Sequence, residues 1–137
     1  MNQEIAVTVD IVTFCNVNNK LNVLLIKRKK DPFKGQWAIP GGFIEEEENL
    51  EAAAKRELEE ETGIKVKTIE QVKAFGEPGR DPRGRTISIA FLGWIDCEDN
   101  PVAGDDAAEA KWFQLDNLPE ELAFDHAQII KTAENYL

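Results

Sequence analysis

Nine carboxylates crowd residues 42–64: Glu45, Glu46, Glu47, Glu48, Glu51, Glu57, Glu59, Glu60 and Glu61. Only Lys55 and Arg56 oppose them, so this segment carries a net −7 of the chain's −10. Acid at that density is either a solvated surface or a seat for a hard divalent cation. An all-oxygen ligand set suits magnesium, manganese or calcium rather than zinc. Spacing separates the two readings. Asn49 is an N-cap residue type and Gly63 a C-terminal stop, which predicts a helix over residues 49–62. At about 100° per residue, Glu57 and Glu61 fall within about 20° of Leu50, and Glu60 falls close to Ala53. All three therefore lie on or beside the apolar side made by Leu50, Ala53, Ala54 and Leu58. Glu59 and Glu51 fit a solvated face. Glu59, Glu60 and Glu61 also crowd the last turn, where the helix dipole disfavours negative charge, and Glu57 and Glu61 repel each other at i,i+4. A bound cation removes both penalties.

The elements that must position this helix follow from period and turn chemistry. Ile5, Val7 and Val9 alternate with polar residues and lead into Ile11, Val12, Phe14 and Cys15, a strand pattern. Val17-Asn18-Asn19-Lys20 is a turn, and residues 21–29 read as the return strand of a hairpin. A basic loop, residues 27–34, precedes the short apolar run Trp37-Ala38-Ile39, which Pro40-Gly41-Gly42 stops. Residues 64–75 and 86–95 read as strands joined by a loop of Gly, Pro and Arg. Residues 96–106 are acidic and turn-rich, 111–115 read as a short strand, and Ala127, Ile130, Ala133 and Leu137 have helical spacing. Strands and helices mix without regular alternation, which predicts an α+β domain with a mixed sheet. The expected organisation is one domain over residues 1–137.

Composition removes several function classes. With 137 residues, 42% apolar and 31% charged, the chain is long enough for a core without disulfide staples. The acid surplus argues against nucleic acid as a partner. Cys15 and Cys97 form no disulfide framework and no zinc site, so two small buried thiols in a reducing interior are expected. His126 is the only histidine, which excludes sites of two or three imidazoles. The first ten residues lack a leader's basic start and apolar run, and no stretch is apolar enough to span a membrane. A cytoplasmic protein is expected.

From Gly42 the chain reads Gly, five residues, Glu48, seven residues, Arg56-Glu57-Leu58, one residue, Glu60-Glu61, one residue, Gly63-Ile64. This resembles the Nudix box at every defined position, and Trp37-Ala38-Ile39-Pro40-Gly41 before it is also similar to the family. The resemblance implies a Nudix fold, a mixed β-sheet sandwiched between α-helices, with the box (residues 42–64) forming loop-helix-loop. It implies hydrolysis of a nucleoside diphosphate linked to another moiety, by attack of metal-activated water. It implies that Glu57, Glu60 and Glu61 hold Mg2+, with Mn2+ a substitute, together with the carbonyl of Gly42. It also implies that Arg56 orients the carboxylates and that Glu48 belongs to their network. The general base stays open between a box glutamate such as Glu57 or Glu60 and a later acid: Asp105, Asp106 or Glu109, with Glu109 favoured.

The substrate clue is the loop Pro78-Gly79-Arg80-Asp81-Pro82-Arg83-Gly84-Arg85. Arg80, Arg83 and Arg85 could hold phosphate or ribose oxygens by bidentate bonds, or simply balance acid elsewhere. The run looks like one in Nudix proteins acting on ADP-ribose, as does Leu122-Ala123-Phe124-Asp125-His126, which implies ADP-ribose cleaved to AMP and ribose 5-phosphate. Trp37, Phe33 and Trp112 could stack on a base, although large aromatics more often serve the core. His126 is expected to pack or cap a helix. The alternatives are a nucleoside triphosphate pyrophosphohydrolase and a non-catalytic ADP-ribose sensor. The sensors of this type resemble this chain plus a C-terminal winged helix, for which a chain ending at Leu137 is too short. A homodimer is left open.

Overall fold

A computed structural model describes residues 3–137; Met1 and Asn2, part of the stretch read for a leader, lie outside the described residues. The hairpin forms as the alternation predicts. Strand β1 (Ala6–Val17) turns through Asn18 and Asn19 into β2 (Lys20–Arg28). Both turn residues have positive φ, 52° and 64°. Asparagine tolerates that conformation, and it matches the strands' right-handed twist. Two short strands follow, β3 (Trp37–Ala38) and β4 (Gly41–Phe43). Helix α1 (Leu50–Thr62) starts where Asn49 accepts a hydrogen bond from the Ala52 N–H and stops at Gly63, at φ 74°. Then come β5 (Ile69–Phe75), β6 (Thr86–Trp94), β7 (Ala107–Gln114), a single 3-10 turn and α2 (His126–Glu134).

The seven strands form one mixed sheet. β1 pairs parallel with β6 from Ala6–Thr86 to Phe14–Trp94, while β5 lies antiparallel on β6 and β7 on β2. Side chains alternate across β1. Val9 and Ile11 face α1 with Leu24, Leu58 and Phe91, and Val12 and Phe14 face α2 with Leu25, Ile129 and Ile130. The sheet is thus sandwiched between the two helices, the expected α+β arrangement.

One irregularity positions the site. β1 and β2 pair only from Phe14–Val23 to Val17–Lys20 and then diverge. Beyond the split, β4 takes over the free edge of β1 at Thr8–Asp10, and β3 takes that of β2 at Ile26–Lys27. The gap between the diverging strands is the floor of a cleft.

Several expectations need correction. The segment 64–75 is strand only from Ile69, because β6 offers no partner before Gly93 meets Ile69. Ile64 and Val66 pack into the α1-side cluster instead. The strand placed at 111–115 runs over Ala107–Gln114, drawn out by pairing along β2. Ala127 and Leu137 are exposed, and α2 buries His126, Ile129, Ile130 and Ala133. Cys15 and Cys97 are not free thiols. They form a disulfide with Cα atoms 5.2 Å apart across 82 residues of sequence. The parallel pairing of β1 with β6 brings them together, and that pairing has no local signal. Reduction is expected to cost roughly 3–4 kcal/mol, a fall in Tm on the order of 10 °C, by releasing a long loop in the unfolded chain. Thermal melts with and without reductant check this, and a Cys15→Ser variant that melts with the oxidised protein would contradict it.

Candidate active site

The cleft between β1 and β2 has a volume of about 340 Å3 and is lined by two chemically different walls. Helix α1 and the β4 turn supply the acidic wall: Glu57, Glu60, Glu61, Gly41 and Gly42. The opposite wall carries Arg28 from the end of β2, Arg80 and Arg83 from the β5–β6 loop, and the ring of Phe124. Phe43 stands on the rim, and Asp105 and Asp106 approach from the loop before β7.

Arg56 organises the acidic wall. Its Nε and Nη2 donate to the two carboxylate oxygens of Glu48 at 2.6 and 2.9 Å. Its Nη1 donates to Glu57 at 2.9 Å and to Glu60 at 3.1 Å. Bidentate geometry of this kind is specific to guanidinium. The bonds from Arg56 hold the Glu48 carboxyl down to about 2, so Glu48 stays charged and serves as the anchor. Glu48 also accepts from the Glu45 N–H at 3.0 Å, which closes the loop ahead of α1.

Glu61 is nearly inaccessible, 7% exposed. Burial pushes its carboxyl well above the usual range, against one hydrogen bond of 2.7 Å from the Gly41 N–H. Burial also raises Glu57, although Arg56 pulls the other way. Gly42 is glycine for a steric reason. A Cβ there would lie 2.8 Å from the Glu57 carboxylate, so a larger residue would have to displace that carboxylate from its place beside the backbone.

A divalent cation fits this donor chemistry. Glu61 is buried and Glu57 half-buried at the cost of their charged forms, and a cation between them would reverse that cost. Among the described residues no three acidic or imidazole side chains yet close into a ligand set. Arg56 holds Glu57 and Glu60, while Glu61 turns to Gly41. The donors are collected in type and place but not drawn in.

The other expected residues separate into those the cleft collects and those it does not. Arg83 lines it, held by a bidentate pair with Asp81 at 2.8 and 3.1 Å. Burial works against the Asp81 charge, but the bonds from Arg83 prevail and its carboxyl titrates low. Arg80 lines it too, yet its side chain is only 4% exposed and is spent on Asp125 at 2.6 and 2.9 Å. Arg85 is not among the lining residues. Trp37 packs edge-on against Phe113 at 4.8 Å, and Trp112 donates to the Asp99 carbonyl, both outside the cleft. Glu109 sits on β7 opposite Lys27, 3.5 Å from its Nζ, and also lies outside the cleft. Of the three later acids, the loop brings Asp105 and Asp106 to the cleft instead. The Gly104 N–H bonds the Glu61 carbonyl at 3.1 Å, which ties that loop to the end of α1. Glu109→Gln is accordingly expected to keep near wild-type turnover; a steady-state assay showing a large fall in kcat would restore Glu109 as a base.

Among the lining residues that the sequence reading gave no role are Asp10, Arg28 and Phe43; Phe124 was noted only as part of the Leu122–His126 run. Asp10 had a signal, a lone acid inside the apolar run Val9-Asp10-Ile11. It is 6% exposed, accepts from the Ser88 hydroxyl, and faces His126 Nε2 at 3.5 Å. His126 in turn accepts the Ile39 N–H at its Nδ1, 2.9 Å away, which leaves the proton on Nε2, toward Asp10. Burial lowers the His126 pKa, and the ring packs at the cleft as the acceptor of the Ile39 N–H rather than as a helix cap. Arg28 donates to the Pro32 carbonyl at 2.6 Å, and burial and the nearby Arg83 lower its pKa. Its charge was visible in the basic segment 27–34, but only the divergence of β1 and β2 makes the end of β2 a cleft wall.

Comparison with known proteins agrees with this geometry. A model of the NUDIX domain family matches residues 4–133. The chain is 52% identical over 110 residues to a protein of Methanocaldococcus jannaschii named ADP-ribose pyrophosphatase, covering 80% of this chain and 63% of that one. The chain therefore spans less than two thirds of that relative's length. Among solved structures, the NUDIX domain of Shewanella oneidensis NrtR complexed with ADP ribose superposes with TM-score 0.89 at 33% identity, over 98% of this chain and 90% of that one. A bifunctional NMN adenylyltransferase/ADP ribose pyrophosphatase of Francisella tularensis, complexed with AMP and a manganese ion, superposes with TM-score 0.85 at 34% identity, over 98% of this chain and 42% of that one.

Proposed function

The chain belongs to the NUDIX family, and on that premise we propose that it hydrolyses ADP-ribose to AMP and ribose 5-phosphate, with magnesium, or manganese in its place, as cofactor. The observation that carries this reading is the two-walled cleft. Carboxylates, one of them buried, and guanidinium groups line a single cleft of about 340 Å3. A diphosphate is the ligand that calls for both walls. Its oxygens take bidentate bonds from arginine, and its charge meets carboxylates only through a cation.

Each residue then has a task. Glu57, Glu60 and Glu61, with the Gly42 carbonyl, hold the cation. When bound, such an ion neutralises diphosphate charge and acidifies a coordinated water. Arg56, anchored by Glu48, keeps Glu57 and Glu60 at the cleft. Arg28 and Arg83 hold the phosphate oxygens on the far wall. A carboxylate must also take the proton of the attacking water, and the candidates are Glu57 and Glu60 on α1 and Asp105 and Asp106 on the loop. No protein nucleophile is needed. Arg80 acts through Asp125, as a positioning residue for the arginine loop.

No helix among the described residues is long and apolar enough to cross a membrane. A cytoplasmic location follows from the proposed nucleotide substrate; the Cys15–Cys97 bond removes the redox argument for it. The test is a panel of ADP-ribose, NADH, ADP-glucose, diadenosine polyphosphates and nucleoside triphosphates with magnesium, scored by kcat/KM through phosphate released by an added phosphatase. ADP-ribose is expected among the best substrates. Turnover of another compound in preference to it would overturn the substrate, and tight ADP-ribose binding without turnover would make the domain a sensor.

A further inference from the structure

The acidic wall hangs from a strap that crosses the gap between the diverging strands. β3 ends at Ala38 on the edge of β2, and β4 starts at Gly41 on the edge of β1. Ile39 and Pro40 bridge the two. Proline has no N–H, so the bridge offers a single backbone donor, that of Ile39, a residue only 2% exposed. A buried N–H without an acceptor carries its full desolvation cost. The acceptor comes from outside the sheet: it is Nδ1 of His126, at 2.9 Å. His126 opens α2, the helix packed on the far face of the sheet from α1. The ring is itself held on three sides. Asp125 before it is pinned by Arg80, the Phe124 ring lies 5.2 Å away, and Nε2 faces Asp10 at 3.5 Å.

The strap leads directly into the proposed cation seat. The Gly41 N–H donates to Glu61 at 2.7 Å, and Gly42 lies against the Glu57 carboxylate. Gly41 has no slack on its other side, because a Cβ there would lie 2.5 Å from Oδ1 of Asp10. We infer that His126 is a positioning residue for the cation seat: by accepting the Ile39 N–H it fixes where Gly41 and Gly42 meet Glu61 and Glu57. The inference rests on the proposed cation site and adds to it a residue that touches neither ion nor substrate. A packing histidine contributes its bulk; a positioning histidine contributes the lone pair of Nδ1. Groups that hold metal donors in place without touching the ion change metal affinity by roughly 10–100-fold when removed.

Asparagine and glutamine divide the functions of the ring. The asparagine side-chain oxygen falls where Nδ1 was and accepts from Ile39. The glutamine amide reaches the place of Nε2, toward Asp10, and leaves Ile39 unpaired. Isothermal titration of the nucleotide-free protein with Mn2+ reads the seat without turnover. His126→Gln is expected to weaken Mn2+ binding by about 10-fold or more, and His126→Asn to bind close to the wild type. Both should melt lower, since both lose the packing of the ring. In the hydrolysis assay the magnesium concentration for half-maximal rate should rise in His126→Gln, with kcat at saturating magnesium largely retained. Wild-type Mn2+ affinity in His126→Gln alongside a lowered Tm would make His126 a packing residue and overturn the inference, and so would equal losses in the two variants. If neither variant folds, the wild type carries the test by nuclear magnetic resonance. Magnesium should then shift the Ile39 amide and the His126 ring nitrogens together with Gly42, and movement of Gly42 alone overturns the inference. A wild type that binds no Mn2+ removes the cation site itself, and the positioning role with it.

Discussion

Glu61→Gln is expected to abolish most turnover, at least about 100-fold, and at the same time to raise the Tm of the metal-free protein. The first effect follows from removing a charge at the cation seat beside the reacting phosphate. The second follows from burial. Glu61 is 7% exposed, and burial holds its carboxyl well above the ordinary glutamate value of 4.5. A group whose folded value is raised favours folding below its unfolded value, and that contribution is lost as the pH rises through the folded one. Above the ordinary glutamate range the raised carboxyl therefore costs the empty fold stability, and glutamine, which never ionises, removes that cost. Magnesium should raise the wild-type Tm by mass action and the variant's much less. Glu60→Gln should lose turnover comparably without the stability gain, because Glu60 is 42% exposed at its side chain and already paired with Arg56. Melting curves at neutral pH with and without magnesium, alongside steady-state rates, read both effects. Near-normal turnover in both variants would remove these carboxylates from the cation site.

Arg80→Ala is expected to destabilise the protein by about 3 kcal/mol, a fall in Tm on the order of 10 °C. The arginine loop suggested a ligand residue, but the structure makes Arg80 a brace. Its side chain is 4% exposed and meets Asp125 in a bidentate pair. Burial alone would lower its pKa, and the bonds to Asp125 outweigh that and raise it. Truncation strands the Asp125 carboxylate at the start of α2 without its partner. It also frees the loop that presents Arg83. The double variant Arg80→Met with Asp125→Leu removes both charges and should recover much of the loss. A ligand role predicts the reverse pattern, a raised KM with an unchanged melting curve.

Arg80 shows where the sequence was legible and where it stopped. Guanidinium groups on a Gly/Pro loop are visible as types, but whether one faces ligand or carboxylate depends on Asp125, 45 residues away. The same limit sorted the aromatics. Trp37 and Trp112 were visible as large rings, and only packing sent them to the core while leaving Phe43 exposed on the rim. Glu109 and Asp106 lie three residues apart. Pairing of β7 along β2 placed Glu109 opposite Lys27 and left Asp106 at the cleft.

By itself the sequence determined what is local. The helix from Asn49 to Gly63, its caps, the inward turn of Glu57 and Glu61 and the Asn18-Asn19 hairpin all depend on spacings of a few residues, where backbone geometry leaves little choice; the task of Arg56 came only with the family resemblance. Tertiary structure alone decided what depends on strand pairing across long separations. The parallel match of β1 with β6 brought Cys15 to Cys97, and the divergence of β1 from β2 turned Asp10 and Arg28 into cleft walls. A strand's period tells which side chains share a face, but its partner is chosen by burial summed over the whole sheet, and no local spacing records that choice.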